Sequence, residues 1–209
     1  DDGYSYFHDV AELEESLKLL RTDHFDLYQL HAMTTEEDLE VATGPGGALE
    51  VLAKARDEGL VRHLGFSAHS AEVAIELMNR FDFDSVLFPV NFTTWFESGF
   101  GPQIMDEAEK RGVARLALKG AAHHALEDRN DRVREKCWYA PIEDHDLMKM
   151  ALRWTLSQPI TAAIPPGDPE LWQMAVKVAQ NFTPITADEE EQLRENARGR
   201  KPLFELAHA

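Results

Sequence analysis

The stretch FDLYQLHAMTT (residues 25–35) decides how this chain is read. An apolar, strand-like run ends on a histidine, His31, and passes at once into small polar residues. A strand that only packs stops on a turn former; one that stops on a histidine and a loop presents a side chain at its tip. Counting by twos, Leu27, Gln29 and His31 share one face, and Tyr28 and Leu30 share the other. Tyr28 is therefore not a partner acid for His31. A neutral imidazole at such a tip can donate a hydrogen bond to a carbonyl oxygen and favour the negative charge that grows there. The alternative is a partly buried histidine bonded to neighbouring backbone.

Helix and strand signals alternate outward from this run. Upstream, Asp9 and Glu12 bracket a helix start, and Val10, Leu13, Leu17 and Leu20 follow one helical face. Downstream, helix GGALEVLAKARDEG (46–59) leads into strand LVRHLGFS (60–67), and Ser70 caps helix AEVAIELMNRF (71–81). Strand DSVLFPVNF (84–92) follows. Pro102 opens the helix that feeds strand VARLALKG (113–120). A long connection, HHALEDRNDRVREKCWYAP (123–141), precedes a helix over 144–157 and a fifth strand, ITAAIPPGD (160–168). Asp168 and Pro169 open the next helix, and a polar helix begins at Thr186. Residues 1–184 are expected to form one unit, with a polar helix and tail over 185–209 packed outside it.

Five short, nearly continuous apolar strands alternating with helices predict an α/β fold with a parallel sheet and right-handed crossovers. No G-x-G-x-x-G follows any strand, which removes the usual mark of an open dinucleotide-binding sheet; GPGG (44–47) follows a polar loop. His31, Ser67, Asn91, Lys119 and the PPGD turn instead recur at strand C-termini, and in a barrel those ends converge on one face. The expected architecture is a TIM-type (β/α)8 barrel, incomplete here, with about five βα units and a C-terminal helix.

Formal net charge is −17, from 38 acidic against 21 basic side chains. Such a field repels phosphate backbones and anionic lipids, so neither nucleic acid nor a membrane surface is an expected partner. It is also the balance that halophilic proteins adopt. No segment approaches the roughly 20 apolar residues of a membrane helix. The single cysteine, Cys137, cannot form an internal disulfide or a cysteine cluster, and fits a reducing, cytoplasmic home.

In order and spacing, SLKLLRTDHFDLYQLH, ARDEGLVRHLGFSAHS and AAIPPG resemble the aldo-keto reductase superfamily over about Leu13 to Pro184. The pieces GFSAH, ALKG and CWYAP resemble a bacterial branch with Leu-Lys or Met-Lys on the seventh strand. The resemblance implies an NADP- or NAD-dependent reductase of small carbonyl compounds on an eight-stranded barrel. It implies that His31 is the catalytic histidine, and that Ser67 helps hold the nicotinamide carboxamide. Lys119 falls beside the ring-stacking position, and Gly167 and Asp168 fall where the cofactor's phosphates run.

Departures from the family pattern accompany these matches. Ala68 replaces an asparagine, Pro89 replaces a glutamine with Asn91 as its substitute, and Leu118 replaces a stacking tyrosine. Asp168 and Glu170 stand where a basic cluster would grip a 2′-phosphate. The family's Asp, Tyr and Lys belong to three earlier βα units, and Tyr4, Tyr6 and Tyr139 match no motif. The expectation is a barrel completed by an N-terminal part or a second chain, with the 209-residue chain inactive alone; the alternative is a non-catalytic nucleotide-binding relative. No metal is expected at His123 and His124. Trp154 and Trp172 read as core.

Overall fold

The computed structural model describes residues 10–206. Asp9, Tyr4 and Tyr6 lie outside the described residues. After helix α1 (Val10–Leu20) and strand β1 (Phe25–Met33), the chain runs through α2 (Glu36–Thr43), α3 (Ala48–Asp57), β2 (Val61–Ala68), α4 (Ala71–Arg80) and β3 (Ser85–Pro89). It continues through α5 (Phe92–Ser98), α6 (Pro102–Arg111), β4 (Ala114–Leu118), β5 (Ala122–His124) and β6 (Ala140–Pro141). The last elements are α7 (His145–Ser157), β7 (Ala162–Ala163), α8 (Pro169–Gln180) and α9 (Ala187–Ala197). Five strands pair in parallel in the order β1-β2-β3-β4-β7. This is the incomplete barrel sheet expected from the alternating pattern.

The register sorts the side chains into two faces. Gln29, Gly65, Ser85 and Ala114 lie level across the sheet, and Ser67, Leu87, Leu116 and Ala162 lie one layer higher. Between them, the opposite face carries Leu64, Phe66, Ala68, Val86 and Phe88, all fully buried under the helices. Leu64, Phe66, Val86 and Phe88 each contribute about 1.5–3 kcal/mol of burial, so this helix-covered face is the core. The inner face is different: Leu87, Leu116 and Leu118 are only half-buried, and His31 is exposed. Gly65 is required there, because a Cβ would collide with Ser85 Oγ.

Strand β1 does not stop at His31. It runs on to Met33 through a bulge, with the register slipping between Leu30 and Met33 and Ala32 at φ 52°. The Ala32 N–H donates to Ser67 Oγ at 2.7 Å, which fixes the bulge to β2. Bulges of this kind re-aim a side chain at the rim of a sheet.

Three segments depart from the sequence reading. The polar stretch after Thr35 is a helix, α2, because Thr35 and Asp38 form a reciprocal capping box and Leu39 and Ala42 find the core. A second helix, α5, begins at Asn91 and ends at Gly99, whose φ of 67° closes it. The fifth strand shrinks to two residues, since Pro165 and Pro166 supply no N–H for a longer ladder. Trp154 is core, but Trp172 is 47% exposed on the outer side of α8, a correction to its reading as core. Helix α9 is polar as expected, yet Leu193 and Ala197 are fully buried. It is held by Arg153, which donates to the carbonyls of Thr183 and Pro184 and pairs with Glu189 at 2.5 Å.

Candidate active site at the strand ends

The C-terminal ends of β1, β2, β3 and β4 bring most of the singled-out side chains to one edge of the sheet. His31 stands on the bulge, and Ser67 faces the same inner side, buried, with its oxygen already accepting from Ala32. The Ser67 hydroxyl proton remains able to donate. Two residues beyond Ser67 on the same alternation is His69, which the sequence reading passed over. Its ring stacks on Phe204 at 4.6 Å. Burial, with the Lys119 ammonium and the His31 ring nearby, pulls the His69 pKa down to about 4.

Lys119 follows the last residue of β4 with φ 68°, a left-handed conformation that costs a non-glycine residue about 1 kcal/mol or more. Its ammonium lies 4.9 Å from the Trp138 ring centre and 5.0 Å from that of Tyr139. Burial holds it below the usual lysine range. Tyr139 is itself buried, with the Cys137 thiol beside it. Burial, together with Cys137 and the Asp168 charge, pushes its phenol well above the ordinary range. Lys119 therefore does not activate Tyr139 as a proton donor.

Asn91 is placed differently from the expected cofactor contact. It is fully buried; its oxygen caps α5 by accepting from Thr94 N–H. Its two N–H groups donate to the carbonyls of Lys119 at 3.2 Å and Ala122 at 2.5 Å. The amide ties β3 to the turn after β4 and has no donor left for a ligand.

Gly167 is open, with nothing within 4 Å of where a Cβ would stand. Asp168 caps α8, accepting from the N–H groups of Glu170 and Leu171, and Arg134 pairs with it at 3.0 Å. These contacts hold its carboxyl below the usual range. Arg134 also reaches Glu143 and Glu170 at 2.9 and 2.8 Å. No sequence pattern singles out Arg134, which lies 34 residues from Asp168.

Residues 199–206 form a strap over this edge. Gly199 N–H donates to Glu97, Leu203 N–H to Thr94 Oγ1, and Ser98 Oγ to the Phe204 carbonyl. Phe204 thereby meets His69, Phe100 and Trp138. Of the aromatics after β3, Phe100 faces the strap, whereas Trp95 and Phe96 pack on Trp154. His123 bonds Asn196 at 2.8 Å, and among the described residues no group of three or more His, Cys, Asp or Glu is placed to hold a metal ion. No described helix is long and apolar enough to cross a membrane.

The inner edge suits one half of a nicotinamide cofactor. Leu87, Leu116 and Leu118 offer a half-open apolar floor for a flat ring, with the Ser67 hydroxyl at its rim. The α8 N-terminus does not suit a phosphate as it stands, because the Asp168 carboxylate already occupies its N–H groups.

Comparison with known proteins agrees with this fold. The profile of the aldo/keto reductase family matches residues 2–201. The uncharacterized oxidoreductase YqkF of Bacillus subtilis (strain 168) is 21% identical over 206 residues, covering 89% of this chain. The chain spans 64% of that relative's length. An aldo-keto reductase from Bacillus halodurans in its holo form superposes with a TM-score of 0.61 at 20% identity, over 92% of this chain and 65% of the other. One from Klebsiella pneumoniae, in complex with NADPH, gives 0.62 at 18% identity, over 93% and 67%. A glycerol dehydrogenase from Gluconobacter oxydans gives 0.59 at 20%, over 95% and 67%. With a parallel barrel sheet, a histidine on the bulge near the end of its first described strand and a family profile over residues 2–201, the chain belongs to the aldo/keto reductase family.

Proposed function

We propose that this chain carries the C-terminal part of a reductase that uses NAD(H) or NADP(H) to reduce a small aldehyde or ketone. The observation that supports it is His31, exposed on a bulge at the inner rim, beside Ser67 and His69 on parallel strands whose ends share one edge. There the His31 ring donates to the substrate carbonyl oxygen and favours the charge that develops on it. Ser67 orients a carboxamide by donating its hydroxyl proton, and the leucine floor excludes water from the reacting face. The bound nicotinamide supplies the hydride. Asp168 and Glu170 oppose a 2′-phosphate near α8, so NAD(H) suits the described residues better than NADP(H).

The barrel closes when further βα units, from an N-terminal part or a second chain, cover the inner face and bring the proton donor that Tyr139 does not supply. The buried thiol of Cys137 suits a reducing cytoplasmic compartment. The test is NADH- and NADPH-dependent reduction of an aldehyde panel by the completed barrel and by the 209 residues alone. Turnover in the completed barrel that falls about 10²-fold in kcat with His31→Ala is the expected result. Cofactor binding without turnover in the completed barrel favours the non-catalytic relative. Full activity of the 209 residues alone removes the need for completion.

A further inference from the structure

In a chain of net charge −17, cations readily find carboxylates. Arg62, Arg80, Arg111, Arg134 and Arg153 each hold at least one. Lys119 is the exception at the site. It is half-buried, its ammonium faces two aromatic rings, and among the described residues no carboxylate lies within ion-pair distance of it. His31 and His69, the neighbouring nitrogen bases, bring no negative charge, and burial raises both the Cys137 thiol and the Tyr139 phenol beside the ammonium, keeping them neutral. A partly desolvated cation without a counter-ion is costly, and the left-handed backbone that aims it adds to that cost. The two ring faces offset part of that cost, and a ligand anion would offset the rest. The preceding residue, Leu118, faces the ring floor, whereas Lys119 lies against the loop carrying Trp138 and Tyr139, under the strap that holds Phe204.

We propose that Lys119 receives an anionic group, a carboxylate or phosphate, borne by the carbonyl substrate. This rests on the reductase reading and names its substrate class: an aldehyde or ketone with an acidic group a short distance from the carbonyl. His31 holds the carbonyl oxygen while Lys119 fixes the acid, and Trp138, Tyr139 and Phe204 wall the span between them. Lys119 thus leaves the cofactor set that the resemblance implied. A charge-assisted hydrogen bond in this half-buried setting is short and strong enough to select acids over neutral analogues.

Malonate tests the assignment without turnover. Trp138 adjoins the ammonium, so tryptophan emission of the completed barrel should change saturably on titration with malonate. Lys119→Met keeps the aliphatic stem against both rings and should weaken malonate binding at least 10-fold; Lys119→Arg should stay within a few-fold of the parent. Far-ultraviolet circular dichroism of each variant confirms that it is folded. NADH titrated into the same three proteins should bind each alike. No saturable malonate binding by the parent, or equal binding by Lys119→Met, overturns the proposal. A matching loss of NADH affinity in Lys119→Met, with malonate competing against NADH, assigns the cation to the cofactor's diphosphate and overturns it too. Failure of the reductase reading is distinct: NADH then binds none of the proteins, whatever malonate does.

Discussion

At His69 the imidazole is stacked on Phe204 and largely buried, with Lys119 and His31 nearby, so adding a proton there charges a poorly hydrated ring close to the Lys119 ammonium. Folded, the ring protonates at about 4, against 6.5 for an ordinary histidine. Between those values the unfolded chain binds more protons than the folded one, so folded stability falls as pH drops from 6.5 towards 4 and is level below that. Discounted for solvent screening, the loss is about 1–2 kcal/mol. His123 and His124 shift in the same direction, also chiefly by burial, so the measurement must be a difference. Urea unfolding of the parent and of His69→Gln at pH 7 and 4.5 should show the parent losing about 1–2 kcal/mol more than the variant. Equal losses would mean that the ring remains hydrated in the folded chain.

Helix α5 depends on one amide. Asn91 caps it and at the same time closes the carbonyls of Lys119 and Ala122, so truncation removes a cap and leaves two buried acceptors unpaired. Asn91→Ala should cost about 3 kcal/mol, taking about 1 for the cap and the rest for the acceptors, and should leave NADH affinity within twofold. A variant as stable as the parent that binds NADH poorly would restore Asn91 to the cofactor site. The same element shows where the sequence was legible. Asn91 to Thr94 has cap spacing, but a seven-residue helix carries too few turns to display an apolar period, so the helix itself did not show in the sequence. The faces of β1 were readable because alternation is local: Leu30 is buried, Tyr28 packs against the core and His31 is exposed, each on the predicted side. The bulge at Ala32 was not readable, since it depends on a hydroxyl 35 positions away. Lys119 meeting Trp138, and Arg134 meeting Asp168, arise from the path of a loop that has no periodicity to read.

Taken whole, the molecule sets two opposing forces on its open side. The described strands cover one face of the sheet with helices and leave Leu87, Leu116 and Leu118 half-exposed on the other, with β1 as an edge whose backbone can pair further. Apolar area of this kind favours association. A net charge of −17 opposes it, and the repulsion reaches about 10 Å at 0.1 M salt but only about 3 Å at 1 M. The 209-residue chain should therefore scatter light as a 23.7 kDa species in dilute salt, and gain mass with protein concentration in 1 M sodium chloride. Leu87→Asp, which places a charge on the inner face, should suppress that gain. Trp172→Ala, on the outer side of α8, should leave it unchanged. Association that survives Leu87→Asp but not Trp172→Ala would place the sticky surface on the helices and remove the open inner face as its cause.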